Sequence, residues 1–70
     1  MSPVLVEIGA LLRATPGPDA PAVVVAAWYE RKAELFEHVA RWEYGPEAKD
    51  AAALAEQAHR HANELLAEVA

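Results

Sequence analysis

The stretch from Pro21 to Tyr44 reads as one long helix that is apolar along two stripes rather than one. At roughly 100° per residue, Val24, Trp28, Leu35, Val39 and Trp42 fall on a first stripe, and Val25, Tyr29, Ala33, Phe36 and Ala40 on a second. Together they span about half the helix circumference, whereas a single buried contact needs an arc of only about 100°. A helix built this way must be covered from two sides. The Val23-Val24-Val25 run is β-branched, but it is short and leads without a break into the helical period, so helix is the reading there too.

Caps and breakers place two further helices around it. Ser2 suits an N-cap and Pro3 the first helical position, which predicts a first helix over about 3–14. Val4, Leu5, Ile8, Leu11 and Leu12 share one face of it, with Glu7 and Arg13 opposite. Pro16 disfavours helical geometry at Thr15, and residues 15–20, with two prolines and a glycine, form the linker. Asp19 is the expected N-cap of the long helix at 21–44, with Pro21 in its first turn. Gly45 suits the left-handed residue after a helix, and Pro46 opens a third helix over about 46–69. So short a connection predicts an antiparallel hairpin. The third helix should bury Ala51, Leu54, Ala55, Ala58, Ala62, Leu65 and Val69. Its alanines would let the backbones approach closely, with Trp28, Leu35, Phe36 and Val39 filling the space they leave.

The fold class is therefore all-α, a short first helix plus a long antiparallel hairpin in one small domain spanning residues 1–70. A chain of this length buries only about 60% of the surface its unfolded form exposes, so its core is marginal. Small domains offset this with disulfides, a metal or oligomerisation. Cysteine is absent, which removes the first route and any thiol chemistry. The beginning carries Glu7 and no basic leading segment, and no apolar run approaches the ~20 residues needed to cross a bilayer. A cytoplasmic protein without membrane contact is expected, and the alanine-, arginine- and valine-rich style suggests a GC-rich bacterial genome. The net charge of −5 argues against a nucleic-acid partner, which would need clustered Lys and Arg.

No constellation in the chain points to catalysis or to a cofactor. The hydroxyls of Ser2, Thr15, Tyr29 and Tyr44 are not placed beside a histidine in any nucleophile motif, and the three glycines are isolated. Glu56 and His59 have the Glu-x-x-His spacing of carboxylate-bridged di-iron bundles, but Glu56 lies opposite the alanine stripe and no second such pair exists, so no metal is expected. His38, His59 and His61 read as helix-surface residues bordering the stripes. Glu30, Glu34 and Glu37 read as one solvated acidic side.

What remains is an apolar surplus. Val24, Val25, Trp28, Tyr29, Lys32, Phe36 and Trp42 are the expected interface residues, since aromatics recur at interfaces and one alanine-rich hairpin cannot cover them all. Lys32 sits amid this face, its stem packing on apolar neighbours or its ammonium pairing with Glu43, Glu64 or Glu68 across chains. The expected function is a non-enzymatic interaction or adaptor module that self-associates as a homodimer, or docks another protein. The alternative is a small acidic regulatory subunit, antitoxin- or inhibitor-like, masking a basic partner. A helix-turn-helix reader is disfavoured by the one-glycine turn, the long helices and the sign of the charge.

Overall fold

The computed structural model describes residues 3–42 and 45–69. Among these the chain forms three helices and no strand: α1 (Pro3–Arg13), α2 (Ala22–Trp42) and α3 (Pro46–Val69). None of the described helices is long and apolar enough to cross a membrane. The expected Ser2 cap and the expected end of α2 at Tyr44 lie outside the described residues.

The breaks between helices follow local backbone chemistry. Gly45 holds φ at +75°, a conformation costly for a residue with a Cβ, and Pro46 opens α3 directly after it. The linker corrects one expectation. Ala20 donates its amide to the Gly17 carbonyl (3.1 Å), so Pro18 and Asp19 occupy the centre of a tight turn, where proline is favoured. The first carbonyl of α2 to accept a helical bond is then that of Pro21, from Val25 at 3.1 Å, and Asp19 is not the cap.

α3 packs closely along α2, and α1 packs on α2 alone; α1 and α3 do not touch. The α2–α3 seam is made of alanines. Ala51, Ala55, Ala58 and Ala62 of α3 are buried, as are Ala26 and Ala33 of α2, with Ala33 and Ala62 at 0% exposure. The side of α2 facing α1 carries Trp28 and Leu35 instead, about half a turn of the wheel away from Ala33. The two stripes of α2 thus find two partners inside the chain, on opposite flanks.

Three helices side by side at the usual 8–10 Å spacing make a layer roughly 23 Å wide. The molecule measures 37 × 23 × 13 Å along its principal axes, which is that layer. A single layer encloses no central core. Its buried residues are accordingly six alanines with Leu11 and Leu35, and no large side chain falls below 2% exposure among the described residues.

This arrangement revises which residues fill the hairpin. Trp28 and Leu35 were expected to complement the α3 alanines, but they turn to α1: Trp28 Nε1 donates to the Leu11 carbonyl at 2.9 Å, and Leu35 lines the α1–α2 cleft. Of the expected α3 stripe, Leu54 and Val69 are exposed and Leu65 is half-buried. α1 also lies differently on its neighbour than its apolar face suggests. Of that face, Leu11 is buried, whereas Leu5, Ile8 and Leu12 are exposed and Glu7 and Ala10 line the cleft toward α2.

Candidate functional site

A layer has two broad faces, and these two differ in chemistry. On one, the cleft between α1 and α2, about 410 Å³, is lined by charged groups that include Glu7, Arg31, Glu34, Glu37, His38 and Arg41. Glu7 and His38 pair across it at 3.7 Å. Because the cleft fixes which side of α1 meets the charged face, helical periodicity puts Leu5, Ile8 and Leu12 on the other broad face. The central strip of that other face is Val25, Trp28, Lys32, Phe36 and Val39 of α2, all half-buried. Leu54 and His61 of α3 border it, around a shallow depression of about 290 Å³ next to Tyr29 and Lys32.

Five of the seven residues expected at an interface, Val25, Trp28, Tyr29, Lys32 and Phe36, are thereby brought to one face, and none of them is buried. Val24 and Trp42 are exposed, Trp42 at 70%, but they stand at opposite ends of α2 toward the α1 flank. Trp28 and Tyr29 meet edge to face with centroids 5.2 Å apart, and Tyr29 meets the His61 ring at 4.4 Å. The Lys32 ammonium stands 5.7 Å from the Trp28 ring centroid and 5.5 Å from that of Tyr29. No carboxylate among the described residues lies within ion-pair distance of it, and Glu43 is outside those residues. Aromatic faces attract a cation by about 0.5–1 kcal/mol at an exposed site, which a methionine's packing would offset. Lys32→Met is therefore expected to leave stability within about 0.5 kcal/mol in a urea melt. A loss several times larger would mean that a carboxylate from another molecule meets this ammonium.

On the charged face, a three-residue constellation joins α2 to α3. His59 of α3 lies between two carboxylates of α2, its Nδ1 2.9 Å from Glu30 Oε2 and its Nε2 2.5 Å from Glu37 Oε1. Glu30 and Glu37 are two turns apart on one side of α2, flanking buried Ala33. Both carboxylates accept, so both ring nitrogens must donate, which only the imidazolium can do. The bonds to Glu37 and then to Glu30 raise the His59 pKa above its ordinary 6.5, against a smaller downward pull from lost hydration. Glu30 and Glu37 are therefore not the free solvated acids they resemble in sequence. The arrangement also leaves His59 no lone pair for a metal, and among the described residues no three His, Asp or Glu side chains converge as metal ligands.

His59 could have been found from sequence through the turn rather than through its own helix. Glu30 and His59 lie 15 and 14 residues on either side of Gly45, so an antiparallel hairpin folded there brings them abreast. Its spacing to Glu56 along α3 gives no hint of this. No protein-family model matches the chain, no curated protein matches it, and no solved structure matches its fold.

Proposed function

We propose that the chain is a helical protein–protein interaction module, without catalytic chemistry of its own, that self-associates through the apolar broad face of its three-helix layer. The observation that carries this reading is the layer itself. Stable domains pack at least two layers of secondary structure around a core, and here the second layer is missing on the face that carries Leu5, Ile8, Leu12, Val25, Trp28 and Phe36. Leu5 and Leu12 are 62% and 65% exposed there, which isolated surface leucines of a small charged protein do not require.

A second copy of the chain fits that face in size and charge. The face measures 37 by 23 Å, comparable with the roughly 800 Å² that each partner contributes to a standard interface. α1 carries one acid and one base, and α2 carries three of each, so this face can meet itself without net repulsion; the surplus acids sit mainly on α3. A two-fold stack would present Leu5, Ile8 and Leu12 of each copy to the other layer. The acidic-masking alternative is less well supported, because Glu30 and Glu37 already share His59 and Arg31 and Arg41 stand among them.

Sedimentation equilibrium tests this reading. The wild-type chain is expected to show a reversible monomer–dimer equilibrium, and Leu5→Glu with Leu12→Glu to weaken it at least about tenfold, or about 1.4 kcal/mol. Helicity should be unchanged, since both side chains are already exposed in the single chain. A wild-type chain that stays monomeric at hundreds of micromolar and binds no hydrophobic dye overturns the proposal.

A further inference from the structure

We propose that His59, held between Glu30 and Glu37, is a protonation-dependent latch that fastens α3 to α2. The inference goes beyond the proposed function and does not rest on it, because the latch lies on the charged face of the layer.

The hairpin seam explains why one side chain can matter this much. Alanines bring the two backbones close but bury little apolar area each, so the seam has few strong contacts to lose. Against that background His59 makes both of its hydrogen bonds across the seam, to residues two turns apart on α2. Among the described residues it is the only group to tie α3 to α2 by side-chain hydrogen bonds. Both bonds exist together only while the ring carries two protons. Once it loses one, a nitrogen lone pair faces a carboxylate oxygen at hydrogen-bond distance, and attraction becomes repulsion.

The other charged groups around the latch do not substitute for it. On α2, Glu34 lines the α1 cleft, where Glu37 also has Arg31, Arg41 and His38 for neighbours. On α3, Arg60 turns to a different depression, with Gln57, His61 and Glu64, and Glu56 and Asn63 are exposed. α1 does not touch α3, but its Glu7 lines the same cleft as Glu37 and is paired there with His38. The other two histidine–carboxylate pairs are single and longer, at 3.7 and 4.0 Å.

The direction of the pH effect follows from the protonated form being the bonded one. A histidine whose folded-state pKa is raised contributes its full stabilisation below about 6.5 and loses it as pH climbs through the folded value. The latch is closed in solution more acid than the ordinary histidine range and opens as pH rises through the raised folded-state value.

The experiment has two arms on the intact chain. In the first, imidazole resonances of the wild type are followed by NMR from pH 5 to 9. His59 is expected to titrate above the ordinary 6.5, and to move back toward it in Glu30→Gln and Glu37→Gln. In the second, thermal melts compare wild type with His59→Gln. The wild type should melt higher at pH 5.5, and the gap should at least halve by pH 9. His38→Gln should not reproduce that pattern. A His59 that titrates at or below the ordinary 6.5, or a melting gap independent of pH, overturns the proposal. The NMR arm on wild type decides it even if a variant fails to fold.

Discussion

Leucine in place of Ala33 should destabilise the hairpin by about 2–3 kcal/mol, at the upper end of what overpacking costs. Ala33 has no exposed surface, and it faces the stripe of small side chains on α3, where Ala58 and Ala62 are also buried. The extra carbons of leucine have no void to enter. They must push the backbones apart, and every neighbouring alanine contact along the seam lengthens with them. A chain of this size has about 3–10 kcal/mol of total stability, so the loss is a large fraction of it. Thermal unfolding by circular dichroism should fall by roughly 10–20 °C. Ala27→Leu supplies the control, because Ala27 is exposed on the same helix and its change should stay within about 0.5 kcal/mol. Equal effects at the two positions would mean that α2 and α3 do not approach as closely as the buried alanines require.

The reason such a substitution hurts here is also the reason the hairpin was legible in the sequence. An alanine stripe at Ala51, Ala55, Ala58 and Ala62 has one structural use, close approach to another helix, and the Gly45-Pro46 turn leaves α2 as the neighbour. Turn chemistry is local, so it can be read without knowing the fold. The placement of α1 could not be read that way. Its apolar face is broad enough to dock from either edge, and the choice is made by tertiary contacts: the Leu11 carbonyl on Trp28 and Glu7 opposite His38. The linker cap was hidden for a similar reason. Asp19 is a good N-cap by type, but the Gly17–Ala20 turn claims it first.

The two-stripe pattern on α2 was informative in a particular way. It required partners on two sides and found them as α1 and α3, yet it could not show that they would lie in a plane. In a triangular bundle the strip between the stripes, Val25, Lys32, Phe36 and Val39, would point into the core. With α1 and α3 on opposite flanks it stays half-open. The apolar surplus visible in the sequence therefore survives folding, and α1 adds its own unused residues to it. The His59 latch depended on register across the hairpin, which periodicity along a single helix does not carry.

Removing the indole of Trp28 should release α1 from the layer without melting the hairpin. α1 has 11 residues, too few for a stable isolated helix in water, so its order depends on docking. Its attachments are few: Leu11 is its only buried side chain among those described, the Leu11 carbonyl accepts from Trp28, and Glu7 reaches His38. Fixing each backbone residue costs about 1–2 kcal/mol in entropy, so such a small set of contacts leaves little margin. Trp28→Ala removes the hydrogen bond to the Leu11 carbonyl and the indole itself, at about 2–3 kcal/mol, less than for an enclosed tryptophan because Trp28 is half-buried. Trp28→Phe keeps one aromatic ring but loses the donor and the five-membered ring that carries it, at about 1–2 kcal/mol. Hydrogen exchange read by segment should then show α1 amides losing protection in Trp28→Ala and only partly in Trp28→Phe, while α2 and α3 keep theirs in both. Because α1 makes no contact with α3, the hairpin has nothing further to lose when α1 departs. If all three helices lost protection together, the layer would be one cooperative unit, and the thin attachment of α1 would not be the weak point that its contacts imply.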